Sequence, residues 1–111
     1  MTTTIKLGDY RAKESKVFTG RDRGIDIRKK TGIDDLVDSN DTVEIIIPAE
    51  IMSINPSFLE EFLFNIVNKL GKETFFQKVK FISEPSSRYD IQEDLEEAID
   101  RILRANNALA K

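Results

Sequence analysis

Apolar and polar residues along this chain follow two different periods, which separate predicted strands from predicted helices. Short runs rich in β-branched and apolar residues, bounded by Gly, Pro, Asn or Asp, predict strands. The clearest run is Thr-Val-Glu-Ile-Ile-Ile, which stops at Pro48 and has the length of a buried strand. The predicted strands are residues 2–7, 15–19, 42–47 and 79–83.

Three other segments have the 3.6-residue spacing of amphipathic helices. The first begins at Thr19 in Thr-Gly-Arg-Asp, a capping-box-like start, and ends near Gly32. The second follows Asn55 as the N-cap and ends at Gly71, and the third follows Asp90. The apolar stripes are Phe58, Leu59, Phe62, Leu63, Ile66, Val67 and Leu70 in the second helix, and Ile91, Leu95, Ala98, Ile99, Ile102 and Leu103 in the third.

The order of these elements predicts a layered α/β fold. Strands that alternate with helices favour a sheet that is at least partly parallel, here a mixed sheet of about four strands with three helices. Residues 34–41 are acidic and rich in turn formers, which predicts an irregular connection. One domain over residues 1–111 is expected from the length, with residues 104–111 as a frayed tail or an oligomer contact.

The side-chain inventory narrows the possible chemistry. The chain has no Cys and no His, which excludes disulfides, thiolate metal sites and a histidine general base. We therefore expect neither a metal nor a cofactor, and no catalytic residue. No segment has the length of a membrane span or the pattern of a signal peptide, so we predict a cytoplasmic protein that does not bind membranes.

The charge is unevenly distributed along the chain. The net charge is −3, but residues 1–30 hold nine Lys or Arg against four Asp or Glu, while residues 31–71 hold one against eight. A modest basic segment in an acidic protein is more often a solvated face than a nucleic-acid site, so no nucleic-acid partner is expected.

Two helix starts carry candidate binding residues. Ser57 stands in the first turn of the second helix, where a phosphate would meet the positive end of the helix dipole. A plain capping role beside Asn55 is the favoured alternative. Ser53 is a second candidate hydroxyl, and nothing in the sequence favours it over Ser57. Glu60 and Glu61 follow one turn later; we interpret them as a solvated face or as the acidic rim of a binding surface.

The first predicted helix has the components of an anion site at its start. Two glycines permit close approach, and helix-start N–H groups and two guanidiniums supply donors. Ordinary capping with solvated arginines is the favoured interpretation, because the Lys-Ser/Thr of a P-loop is missing. The residues of this alternative nucleotide- or anion-binding site are Thr19, Gly20, Arg21, Arg23 and Gly24.

The chain resembles the STAS-like family, small bacterial domains related to anti-sigma factor antagonists. The resemblance covers about residues 16–103 and is distributed over several segments. It implies a STAS-like layered fold. The segments that carry it are residues 19–24, 43–47, 51–63, 70–71 and 79–82.

The resemblance also implies a function. It implies a non-enzymatic regulatory module that binds a protein, often a GHKL-type ATPase or serine kinase, through the loop before the second helix. In the antagonists this loop reads Asp-Ser-Ser-Gly, and phosphorylation of its first Ser breaks the complex. Here Pro56 falls on that Ser, Ser57 on the second Ser and Phe58 on the Gly. The expected contact residues are Ser53, Asn55, Pro56, Ser57, Phe58, Glu60 and Glu61.

Overall fold

A computed structural model describes residues 1–10, 15–87 and 89–109 of the chain, with side chains described up to residue 105. The strands are β1 (Thr2–Lys6), β2 (Val17–Phe18), β3 (Thr42–Ile47), β4 (Ser53–Ile54) and β5 (Val79–Ser83). The helices are α1 (Arg21–Thr31), α2 (Ile33–Ser39), α3 (Pro56–Lys78) and α4 (Gln92–Leu109), and a 3₁₀ turn (Leu7–Tyr10) follows β1.

The strands form two separate parallel sheets. The main sheet has the order β1-β3-β5, and β2 pairs with β4 in a two-stranded ribbon. The α/β class and the parallel pairing are confirmed, whereas the mixed sheet of about four strands with three helices is wrong. The reason is that β2 pairs with β4, a strand inside the predicted loop, instead of joining the main sheet.

The helices cover one face of the main sheet. Along β3 the burial alternates strictly, and Val43, Ile45 and Ile47 are fully buried while the residues between them are partly exposed. Helix α3 packs against β3 and β5 and also contacts α1, α2 and α4. The hydrophobic core therefore lies between the sheet and α3, and the opposite face of the sheet is formed by side chains such as Thr4 and Lys6, which are exposed.

The two short helices before β3 differ from the prediction. The N-cap of α1 is Gly20, with no side-chain bond, so the predicted start at Thr19 is wrong. Gly32 ends α1 in the left-handed region at φ 64°, as predicted. The predicted irregular connection at residues 34–41 is wrong, because Ile33 and Val37 are spaced one turn apart and are both fully buried, which makes this segment α2.

Helix α3 begins as predicted and continues further. The Asn55 side chain accepts a hydrogen bond of 2.8 Å from the Ser57 N–H, and Pro56 is the first helical residue. At Gly71 the backbone leaves the helical region (φ 79°, ψ 166°), but helical turns resume and run to Lys78. Gly71 therefore ends the first helical segment, as predicted, and a second segment that contains the buried Phe75 follows it.

Helix α4 confirms its predicted apolar stripe. The Asp90 carboxylate accepts from the Gln92 N–H at 3.0 Å and so caps the first turn. The helix extends through Leu109, so the segment predicted to fray is helical up to that residue, and residues 110 and 111 lie outside the described part. The stripe consists of buried Ile91, Leu95, Ala98, Ile99 and Ile102, with Leu103 partly buried beside them.

Candidate functional site

The β2–β4 ribbon turns one side into the core and presents the other to solvent. The Met52 N–H donates to the Lys16 carbonyl at 2.7 Å, which holds the two short strands together. The side chains of Phe18 and Ile54 on this ribbon are buried in the core, whereas Met52 is 69% exposed and Val17 is 45% exposed. We call the exposed residues of the ribbon and the adjoining loop, Val17, Met52, Ser53 and Asn55, the Met52 surface.

A hollow of about 420 Å³ adjoins the Met52 surface. It lies where the turn after β3 meets the loop between β5 and α4. In parallel sheets the carboxyl ends of the strands, and the loops that follow them, are the usual place for a binding site. The lining residues are Ala49, Ile51, Met52, Ser86, Tyr89 and Asp90.

Tyr89 fixes the position of this hollow. Its hydroxyl lies 3.0 Å from the Ile54 carbonyl and 2.5 Å from the Asp94 carboxylate, so it joins β4 to the first turn of α4. Burial of the ring, together with the Asp94 contact, raises the pKa of the Tyr89 phenol well above its usual range. The phenol therefore remains protonated at neutral pH and acts as a positioning group.

The predicted loop residues divide between the surface and the core. Ser53 and Asn55 are exposed, and Pro56 and Ser57 are partly buried in the first turn of α3. Phe58 is fully buried, with its ring centroid 5.2 Å from that of Phe18. The expectation that Phe58 contacts a partner is therefore wrong, because its aromatic ring completes the core beneath the ribbon.

Glu60 and Glu61 are not the solvated face that the sequence suggested. Their side chains are only 12% and 22% exposed. The Glu60 carboxylate lies 3.4 Å from the Arg21 guanidinium and 3.2 Å from that of Arg101, and Arg21 also lies 3.7 Å from Glu61. This charged cluster joins α1, α3 and α4, so the two carboxylates serve helix packing instead of forming a free acidic rim.

The start of α1 borders a second hollow, of about 530 Å³. Its two arginines are already engaged, because Arg21 pairs with the glutamates and Arg23 donates to the Tyr10 carbonyl at 2.5 Å. Asp22 and Asp26 also line the hollow. Two carboxylates therefore balance the two guanidiniums, which leaves no excess positive charge for an anion. The complete lining is Thr19, Gly20, Arg21, Asp22, Arg23 and Asp26.

Gly24, predicted as part of an anion site, is a packing residue. It is buried in the middle of α1, where a Cβ atom would lie 2.4 Å from the Phe58 carbonyl oxygen and 3.0 Å from the Glu61 Cβ. The helices α1 and α3 therefore cross with their backbones in near contact. One turn later Arg28 donates to the Glu61 carbonyl at 2.7 Å and reinforces the crossing.

The sequence did not identify Val17, Met52 or Tyr89 as site residues. The two apolar residues were read as parts of a strand and of a loop, and nothing in their spacing showed which side would be exposed. Tyr89 lies between a turn and a helix cap, where a tyrosine is common for simple packing reasons. Its contact with Ile54 spans 35 positions of the chain, beyond the range of any local pattern.

Neither a protein-family model, a curated protein nor a solved structure matches this chain. Within residues 1–10, 15–87 and 89–109, no helix is long and apolar enough to cross a membrane. The same described residues contain no group of three or more acidic side chains placed to hold a metal ion.

Proposed function

We propose that this chain is a non-enzymatic regulatory domain of the bacterial cytoplasm that binds a protein through the Met52 surface. The observation that carries the proposal is the exposure of Val17 on the ribbon and of Met52 directly before β4, with Met52 and Tyr89 lining the same hollow. Exposed apolar side chains rimmed by polar residues such as Ser53 and Asn55 are typical of protein contact sites.

The resemblance to STAS-like domains supports a GHKL-type ATPase or serine kinase as the partner. In those domains the contact is made by the loop before the helix that corresponds to α3. Ser53 and Asn55 are exposed in this loop, which makes them available for the expected contact. The proposed contact surface includes this loop. It contains the exposed apolar residues Val17 and Met52 and does not contain Phe58, Glu60 or Glu61.

The Met52→Asp variant tests the contact surface. A charge in place of an exposed thioether leaves the core unchanged but opposes burial of this site in an interface. The matched control is Thr4→Asp, at an exposed position on the main sheet. Each tagged protein would be purified from its native cells, co-purifying proteins compared by quantitative mass spectrometry, and the leading partner titrated by calorimetry.

We expect the same partner with the wild type and with Thr4→Asp, and at least about tenfold weaker binding by Met52→Asp, the size expected for an interface anchor. Equal affinity of all three proteins would exclude the Met52 surface. Failure to recover any partner that binds the purified wild type in calorimetry would reject the protein-binding function itself.

Ser57 is the proposed switch, because Pro56 fills the position of the phosphorylated serine in the antagonists. A phosphoryl group here would lie at the start of α3, with Glu60 and Glu61 one turn away and Arg21 paired to both. Ser57→Asp should fold normally and bind the partner more weakly, whereas Ser57→Ala should bind as the wild type does. Unchanged affinity of Ser57→Asp would remove Ser57 from the mechanism.

A nucleotide- or anion-binding function is a second candidate, favoured by the size of the hollow at the start of α1. The engaged arginines and the two aspartates argue against it. Binding to the native state alone would raise stability by RT ln(1 + [L]/Kd). We expect melting temperatures that do not change with ATP, GTP or phosphate. A rise that saturates with ligand and is abolished in Arg23→Ala would instead support this candidate.

A further inference from the structure

Strand β5 leaves one edge of the main sheet without a partner strand in the described part of the chain. The Glu84 N–H donates to the Ile47 carbonyl at 3.0 Å, which sets the direction of the backbone groups along β5. Because these groups alternate from residue to residue, the N–H and C=O groups of Phe81 and Ser83 point away from β3. Among the described residues, none bonds to them.

A hollow of about 310 Å³ with both apolar and polar lining residues lies along this free edge. Three consecutive strand residues line it, so it opens at the edge of β5 instead of on one face. The other wall is the start of α4, where the buried side chains of Ile91 and Leu95 contribute. The main lining residues are Val79, Lys80, Phe81, Ile91, Gln92 and Leu95.

A carboxylate lies on α4 beyond the lining of the hollow, whereas Lys80 is the charged residue within the lining. Gln92 lines the hollow, and the exposed Glu96 follows it by one turn on the same side of α4. A chain that leaves the groove along α4 would therefore pass the Glu96 carboxylate after the apolar side chains of Ile91 and Leu95. This pairing suits a segment with large apolar side chains at alternate positions and a Lys or Arg near Glu96.

We infer that the β5 edge binds an extended peptide segment of a partner protein as an additional strand. The free groups of Phe81 and Ser83 supply main-chain hydrogen bonds, and the hollow accepts one apolar side chain of the peptide. This surface is separate from the Met52 surface and does not depend on the function proposed for it.

An edge strand can also be protected against pairing, commonly by a lysine. Lys80 is the lysine of β5, but its amine donates to the Phe76 carbonyl at 2.7 Å, at the end of α3. The charge is thereby held at the end of the helix. The strand also contains no Pro, which would block pairing.

The test uses a phage-displayed library of random 12-residue peptides panned against the wild-type chain. We expect enriched peptides with apolar residues at alternate positions and a neighbouring Lys or Arg. A synthetic consensus peptide, titrated into the ¹⁵N-labelled chain, should shift the amide signals of residues 79–83 and 91–96. Absence of enrichment would overturn the inference, as would shifts confined to the Met52 surface, which would leave the proposed function standing.

The variant Ser83→Pro removes one outward N–H without breaking the ladder to β3. Its matched control is Thr4→Pro, because the same alternation directs the Thr4 N–H away from β3 at the opposite edge. We expect at least about tenfold weaker peptide binding for Ser83→Pro and less than about twofold for Thr4→Pro, in line with loss of a main-chain contact. Equal effects would overturn the inference.

Glu96→Lys supplies a test that does not alter the strand. Glu96 is exposed on α4, so the variant should keep the far-UV circular dichroism of the wild type. We expect it to bind the basic consensus peptide several-fold more weakly, with Glu93→Lys as the control on the same helix. An unchanged affinity of Glu96→Lys together with unchanged binding by Ser83→Pro would refute strand addition at β5.

Discussion

The segments 19–24 and 52–55 both lie at the start of a helix but pack differently, because Gly24 of the first is buried whereas Met52 of the second is exposed. Each carries polar or glycine residues just before a helix. The first lies where α1 crosses α3, so Gly24 is in near contact with the Phe58 backbone. The second contains strand β4 of the two-stranded ribbon, and Met52 directly before that strand remains exposed. A helix start is therefore a binding surface only where neighbouring elements leave it uncovered, and this is decided by distant parts of the chain.

The strongest test of this contrast is Gly24→Val. A side chain at Gly24 would push against the Phe58 carbonyl at 2.4 Å, which is backbone and cannot move aside. We expect a loss of about 3 kcal/mol of unfolding free energy, as in overpacked cores. Urea unfolding would measure it, with Lys29→Val as the control for a β-branched residue at an exposed position of α1. A loss equal to that of the control would show that the helices can separate.

The second test concerns the charged cluster that holds the crossing. Glu60→Ala removes a carboxylate that is 12% exposed and accepts from two arginines, so we expect a loss of about 1–2 kcal/mol. Glu97→Ala is the control, because this 49% exposed carboxylate pairs only with Arg101 among the described residues, and its loss should cost less than about 0.5 kcal/mol. If both variants have the same unfolding midpoint, the cluster is not a packing element.

The third test addresses Tyr89, which ties the exposed ribbon to α4. Tyr89→Phe removes the hydroxyl contacts to Ile54 and Asp94 and should cost about 1 kcal/mol at pH 7. Since the folded-state pKa is raised, the stabilisation is complete below the usual phenol pKa of about 10 and is lost as pH increases further.

Urea unfolding from pH 7 to 11 would measure this dependence. The wild type should lose stability above pH 10 more steeply than Tyr89→Phe does, so the two curves converge. Parallel curves over this range would contradict the role assigned to the phenol.

The smallest effect on stability is expected on the Met52 surface itself. Met52 is 69% exposed, so Met52→Asp should change the unfolding free energy by less than about 0.5 kcal/mol. Thermal unfolding followed by circular dichroism would measure this, with Ile54→Asp two residues further along the chain as the buried counterpart, which we expect to unfold the domain. A large loss in Met52→Asp would show that the ribbon is packed and is not a free surface.

Local patterns predicted much of the framework. The β-branched run of β3, the Asn55–Pro56 start of α3 and the apolar stripe of α4 all depend on neighbouring residues or on a single period, and all three were found. The segment of α2 was misread because its acidic residues resemble a turn, although Ile33 and Val37 are spaced one helical turn apart. Gly71 does interrupt the helix, as predicted. The helical turns that follow it contain the buried Phe75 and were not predicted.

By itself the sequence determined the α/β class, the presence of parallel strands, most element positions and the absence of cysteine and histidine chemistry, because these follow from composition, element order and short-range periodicity. Only the tertiary structure decided which polar residues are covered. Glu60 became a packing group because arginines 39 positions before it and 41 positions after it reach the same carboxylate. Val17 and Ser53 stayed exposed because the ribbon turns Phe18 and Ile54 inward. Such outcomes depend on contacts between distant residues, which no local pattern encodes.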